Sequence, residues 1–389
     1  MRKVGVISRG ICAPIIKQGM DLTEVVAEAV TSAATEEGFG FNDRDVVGVT
    51  ESVLARAQGN YATLRQIADD VKAKLKSGVI GVILPIMSRN RFSQILKGIA
   101  MGASEVYLQL AYPSDEVGNP LISLDELDSK NVNPCTDTFT SDEFVKTFGK
   151  PIHPFTGIDY IEYYKSLIED TGAVAKIIVG NDPREILKYT QHVICADIHS
   201  RFRSKRLLKA AGAKVAIGLD EILNESVDGS GFHPDYGLLG SNLATDDTVK
   251  LFPRDSGEFA RKLKAKLREL TGKNIEVLVY GDGAFKDPVG GIWELADPVV
   301  SPGFTDGLNG TPNEVKIKYL ADNVSGDEEA IKELIRNKKP NLVGDMTAQG
   351  TTPRRLTDLL GSLCDLTSGS GDKGTPIILV QGYFDTFAD

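Results

Sequence analysis

From Val4 to Ile217 short β-branched runs alternate with stretches of helical periodicity, and that alternation admits few folds. Runs that are apolar at successive positions need cover on both faces of a sheet, and intervening helices supply it. The expected strands are Val4–Ile7, Asp45–Thr50, Val79–Leu84, Val106–Leu110, Val174–Val179, Val193–Ala196 and Val215–Ile217. Helices are expected at Thr63–Leu75, Arg91–Ala100, Tyr160–Glu169, Pro183–Tyr189 and Lys205–Ala211. Asp21-Leu22-Thr23-Glu24 opens a further helix, with Asp21 as cap and Glu24 completing a capping box. Pro183 after Asp182 suits a first helical turn. Tyr112–Pro151 is polar and reads as a long loop with a short helix at Ser141–Phe148, and loops of that length are often functional.

The texture changes between Glu225 and Asp345, where Gly-rich and Asp-rich loops flank a basic amphipathic helix, Glu258–Leu270, and a strand, Ile275–Tyr280. This stretch reads as an inserted subdomain. The tail returns to order with helix Pro353–Leu366 and strand Ile377–Gln381. The expected division is a discontinuous core of residues 1–224 and 346–389, interrupted by 225–345. A length of 389 residues supports two domains. With a net charge of −10 and only short basic clusters, the chain is no candidate for a nucleic-acid backbone. Its four cysteines form no CxxC pair, which argues against a disulfide framework or a thiolate zinc site. No run approaches the ~20 apolar residues of a membrane span, and the N-terminal run is too short for a signal peptide. A cytoplasmic protein is expected.

Two carboxylates stand where ordered elements end. Asp197 closes the apolar run Val193-Ile194-Cys195-Ala196, and His199, Ser200, Arg201 and Arg203 follow. A strand end leading into a helix is the usual ligand edge of an α/β sheet. Asp suits Mg²⁺ or Mn²⁺ there and Arg suits phosphate, while an exposed polar turn with a helix cap is the competing reading. Asp159 closes His153-Pro154-Phe155-Thr156-Gly157-Ile158, and two roles stand open for it, cation ligand and N-cap of the next helix. Thr351-Thr352-Pro353-Arg354-Arg355 places two arginines in an expected first turn. They oppose the helix dipole unless an anion is held there, or they simply face water or local acids. Asp282, Asp287, Glu294 and Asp297 gather around Trp293, as solvated turns or as a second cation site. Gly369–Gly374 matches GxGxxG, but a helix precedes it and a strand follows, the reverse of a dinucleotide fingerprint. No GxSxG elbow is present.

Several segments, in order, resemble the coenzyme F(420)-0:L-glutamate ligases, or γ-glutamyl ligases. Pro14-Ile15-Ile16-Lys17-Gln18-Gly19-Met20-Asp21-Leu22 is similar to the family's PxIKxGDDL, and Asp45–Asn60 to its DIVVVTxKIVSKAEGR. Gly157-Ile158-Asp159 matches a GID motif, Asp197–Arg203 falls where the family carries SDTFGRPWR, and Ala216-Ile217-Gly218 matches the AIG that follows. Thr357–Gln381 resembles the family's C-terminal pattern, while 225–345 has no matched counterpart.

The resemblance implies a mixed α/β, γ-glutamyl-ligase-like core. It also implies a homodimer that uses GTP with Mn²⁺ or Mg²⁺ to join L-glutamate to a small anionic acceptor, a coenzyme F420 precursor or a folate-like cofactor. Asp159 and Asp197 become metal ligands, with the Ile198 carbonyl and Ser370 at the remaining family positions. Arg201 joins the two aspartates as a catalytic candidate. Pro14, Ile15, Arg56, Arg203, Arg354 and Arg355 become nucleotide or anion contacts. A sensor that kept the fold and binds nucleotide without turnover is the alternative.

Overall fold

Val46–Thr50, Glu276–Tyr280 and Ile377–Gln381 are buried at nearly every position, and all three form the interior of one sheet. The computed structural model describes residues 3–89, 91–153, 156–281, 301–312, 317–323, 328–338, 343–344, 355–369 and 371–388. Its architecture is mixed α/β, as expected. Two units are present. The first takes its described residues from Met1–Gln58, Asp255–Gly283 and Val299–Asp389, and the second from Gly59–Arg254.

The first unit is built on a five-stranded sheet in the order Ile7–Ile11, Ile377–Gln381, Val46–Thr50, Glu276–Tyr280, Gly303–Phe304. Val46–Thr50 and Glu276–Tyr280 run parallel, and the other neighbours are antiparallel. Alternate side chains serve opposite faces. Val47, Val49, Val277 and Val279 pack against helices Leu22–Glu37 and Ser256–Thr271. Val46, Leu278 and Tyr280 meet Leu360 and Cys364 of helix Leu356–Ser368. Three local expectations shift here. The first strand is Ile7–Ile11 because its register with Ile377–Gln381 selects those residues, leaving Val4 and Val6 exposed. Asp21 does cap its helix, but Glu24 closes no capping box, because its carboxylate pairs with Lys266 at 3.0 Å. A helix at Glu51–Gln58 was not expected.

The stretch 225–345 is not a unit of its own. Glu276–Tyr280 lies inside the first unit's sheet, while Asn242–Thr245 and Thr248–Lys250 join Tyr61–Thr63 in a small sheet of the second unit. Buried strands cannot be detached from the sheet that buries them, so the insertion expected from composition is divided between the two units.

The second unit carries a six-stranded sheet. Its parallel strands are labelled within the unit as β1 (Val79–Ile83), β2 (Glu105–Leu110), β3 (Val174–Val179), β4 (His192–Cys195) and β5 (Val215–Gly218). They stand in the order β3-β2-β1-β4-β5, with Phe139–Thr140 antiparallel at the β3 edge. Helices α1 (Leu64–Leu75), α2 (Phe92–Met101) and α3 (Tyr160–Glu169) cover one face. Helix α4 (Arg201–Ala210) and the 3₁₀ turn Pro183–Lys188 cover the other. Thr63 and Gln66 form the capping box that starts α1. The expected long loop holds two helices, Leu124–Lys130 and Ser141–Phe148, packed through Phe144 and Tyr112.

The chain moves outward from β1 through β2 to β3, then returns to lay β4 on the other side of β1. Open α/β sheets bind ligands outside the carboxyl ends of their strands at such a reversal. Gly81, in the middle of β1, lets the 3₁₀ turn seat against the sheet, since a Cβ there would stand 2.5 Å from Ile186 Cγ1 and 3.2 Å from Thr190 Cγ2. Gly81→Ala is expected to destabilise the protein by about 1–3 kcal/mol through overpacking. Thermal denaturation measures this, and an unchanged melting temperature would contradict the packing described.

Candidate active site

Asp197 lies two residues past the end of β4 and has no exposed surface. Its Oδ2 lies 2.7 Å from both Ser200 Oγ and Ser204 Oγ, while Oδ1 has no hydrogen-bond partner among the described residues. Burial raises the carboxyl above its ordinary range; the two serine hydroxyls oppose the rise and the nearby charge of Glu116 adds to it. A buried carboxylate with an open lone pair is a costly arrangement, typical of sites that receive a ligand.

Glu116, which the sequence reading did not single out, organises the same turn. Its Oε1 accepts from the Ile198 and His199 amides, and its Oε2 from the amides of His199 at 3.0 Å and Ser200 at 3.1 Å. These are amides that a helix start leaves without intrahelical partners. Ser200 stands at the N-cap of α4 yet makes no side-chain cap bond of its own, so Glu116 caps the helix from another loop. This is why α4 begins at Arg201 and not at Lys205. Ser200 Oγ also lies 3.1 Å from Glu116 Oε2. Its one proton can serve only one of the two carboxylates at a time.

Asp115 fixes the loop that presents Glu116. It is 5% exposed and accepts from the amides of Met87 at 2.9 Å, Val117 at 3.1 Å and Asn119 at 2.8 Å, and from Asn119 Nδ2 at 2.6 Å. Burial pushes its carboxyl up despite these bonds. Loops after β1, β2 and β4 thus meet at the carboxyl edge of the sheet.

Arg201 is held beside Asp197 in sequence but is engaged elsewhere. Its Nε is 3.3 Å from Asp220 Oδ2, its guanidinium donates to the Ile198 carbonyl, and it stacks on Phe202 at 4.4 Å. Arg203 is exposed, and its charge helps hold the Asp182 carboxyl low, behind the larger effect of the Arg184 hydrogen bond. Asp159 is the N-cap of α3, accepting from the Glu162 amide at 3.1 Å, and its Oδ2 stands 3.7 Å from Lys150 Nζ.

In the first unit, Arg56 Nε donates to the Ile16 carbonyl at 2.6 Å, which brings Arg56 to exposed Pro14 and Ile15. Pro14 also lines a groove of ≈ 1090 Å³. Glu28, Glu36 and Glu37 line it with Arg9, an acidic balance that is the wrong sign for a triphosphate. Arg355 is exposed and extended at the N-cap of the helix that starts at Leu356, so it does not lie in a first turn begun by Pro353. Thr351, Thr352, Pro353, Arg354, Ser370 and the acidic cluster Asp282, Asp287, Glu294 and Asp297 around Trp293 lie outside the described residues.

Among the described residues no group of three His, Cys, Asp or Glu side chains is gathered for a metal. The Ile198 carbonyl already accepts from Arg201. What fits a hard cation is the open Oδ1 of Asp197. Mg²⁺ is commonly held by one or two carboxylates, keeping waters and substrate phosphates as its other ligands, so a single open carboxylate oxygen is compatible with it. No described helix is long and apolar enough to cross a membrane.

The raised Asp197 carboxyl has a consequence for stability. The folded chain retains a proton that the unfolded chain has already lost, so this group's contribution to stability is fully present below the ordinary Asp range. It falls as pH rises through the raised value. Asn resembles the protonated acid. Asp197→Asn is expected to match the wild type in thermal stability near pH 4 and to exceed it near pH 8. A gap that does not grow with pH would contradict a buried, uncompensated carboxylate.

A family model described as F420-0:Gamma-glutamyl ligase matches residues 10–382, running through the segment 225–345 that had no matched counterpart. Comparison with curated proteins returned no match. With nearly its whole length inside that model, the chain belongs to the F420-0:gamma-glutamyl ligase family, enzymes that form carbon–nitrogen bonds.

Proposed function

We propose that the protein joins L-glutamate to an anionic acceptor, a coenzyme F420 precursor or a folate-like cofactor, using GTP and Mn²⁺ or Mg²⁺. The observation that carries this reading is the fully buried Asp197 with an open oxygen at the reversal point of the parallel sheet, in a chain of a ligase family. The acceptor carboxylate attacks the γ-phosphorus of GTP, giving an acyl phosphate and GDP. The glutamate amine then attacks the acyl carbon, the C–O bond to phosphate breaks, the amine loses a proton, and inorganic phosphate leaves. Asp197, and Asp159 by resemblance, would hold the divalent cation, which would supply charge neutralisation on the transferring phosphoryl group.

The chain's own groups prepare the site. Ser200 and Ser204 fix the Asp197 carboxylate through Oδ2 and leave Oδ1 available. Glu116 holds the turn after β4 in one shape through its amides. Pro14, Ile15, Arg56, Arg203, Arg354 and Arg355 are proposed contacts to nucleotide or substrate anions, by resemblance alone. A homodimer in the cytoplasm is part of the same proposal.

Purified protein given GTP, Mn²⁺, L-glutamate and candidate acceptors is expected to release phosphate only when glutamate and an acceptor are both present. Asp197→Asn should lower that turnover by about 100-fold or more. Tight GTP binding without phosphate release from any acceptor would favour the sensor reading, and release that ignores glutamate would point to a phosphohydrolase.

A further inference from the structure

Three aspartates in this chain stand just before a helix or 3₁₀ turn and cap it themselves. Asp21 accepts from the amides of Thr23 and Glu24, Asp159 from that of Glu162, and Asp182 from that of Arg184. These are the amides two or three residues further on, which an aspartate side chain reaches with little rearrangement. Asp197 has the same local setting. The amides two and three residues beyond it are those of His199 and Ser200, at the start of α4. Yet it takes neither of them. Its Oδ2 is held by the Ser200 and Ser204 hydroxyls, and its Oδ1 has no partner among the described residues.

Glu116 accounts for the difference. Its Oε1 accepts from the Ile198 amide and, at 3.2 Å, from that of His199; its Oε2 accepts from His199 at 3.0 Å and Ser200 at 3.1 Å. A carboxylate offers about four lone-pair directions, so these contacts use its accepting capacity. Glu116 is therefore a poor cation ligand in its own right. For the same reason the Ser200 hydroxyl, 3.1 Å from the crowded Glu116 Oε2 and 2.7 Å from Asp197 Oδ2, gives its proton to Asp197. One acid does the capping, and the other keeps an open oxygen.

We propose that Glu116 is a positioning residue for the cation: by capping α4 from a separate loop, it keeps Asp197 Oδ1 available as a ligand. Without it, three bared amides compete for the nearest free acceptor, which is that same Oδ1. The inference rests on the reading of Asp197 as a cation ligand.

The test is titration of Mn²⁺ into the full chain, with free Mn²⁺ read by electron paramagnetic resonance. The wild type is expected to bind Mn²⁺ saturably and Asp197→Asn to lose that binding. Glu116→Ala should weaken it by about tenfold or more, the size of effect seen when a partner behind a metal ligand is removed. Circular dichroism checks that each variant is folded. Glu116→Gln keeps one acceptor oxygen for the amides; it should give a smaller loss, and it decides the question if Glu116→Ala does not fold. A residue that only stabilised the helix would lower the melting temperature and leave the Mn²⁺ affinity of the folded protein untouched. Wild-type affinity in folded Glu116→Ala, or in folded Glu116→Gln where the alanine variant does not fold, would therefore overturn the proposal and leave the cation reading of Asp197 intact. No saturable binding by the wild type, or wild-type affinity in Asp197→Asn, would remove that reading and the proposal with it.

Discussion

All parallel strands of a sheet end at the same edge, and the second unit depends on that constraint. Because β1 is central and β4 returns beside it, the loops after β1, β2 and β4 converge there without further design. One loop brings Arg91, one brings Glu116, and one brings Asp197. None of these residues is near the others in sequence. Their meeting follows from strand order, and strand order follows from how the crossovers cover both faces of the sheet.

The price of that meeting is electrostatic. Asp197 is desolvated, Asp115 is nearly so, and Glu116 adds negative charge beside them. Backbone amides offset much of this. Asp115 and Glu116 between them accept from six different main-chain amides: Met87, Val117, Asn119, Ile198, His199 and Ser200. Asp197 accepts from two serine hydroxyls at Oδ2, and its Oδ1 has no partner among the described residues. The turn is therefore well satisfied at its supports and under-satisfied at one atom, which is a distribution that stability alone would not favour.

Much of this was legible from residue pattern. The apolar runs located every parallel strand of the second unit, because buried strands advertise themselves by composition. Asp197 stood out as a carboxylate at the end of such a run. Asp159 was legible with two roles, and the structure shows it capping α3. Glu116 carried no local signal, since its partners lie more than eighty positions away and are main-chain groups that any residue supplies. Arg201 read as a guanidinium suited to phosphate, but Asp220 engages it from the turn after β5. The division of 225–345 was invisible for a related reason: a Gly-rich and Asp-rich texture describes the connections and says nothing about where the strand between them pairs.

The Glu116 cap ties together two segments that a linear map would treat as unrelated. One carboxylate meets three consecutive amides, so the depth of the 112–120 turn and the start of α4 must agree within a fraction of an ångström. A length change in either segment would strand the carboxylate and bare the amides together. Among relatives, insertions in these two places should therefore be inherited as a pair, and a family member lacking an acid at the Glu116 position should begin its α4 with a capping side chain of its own.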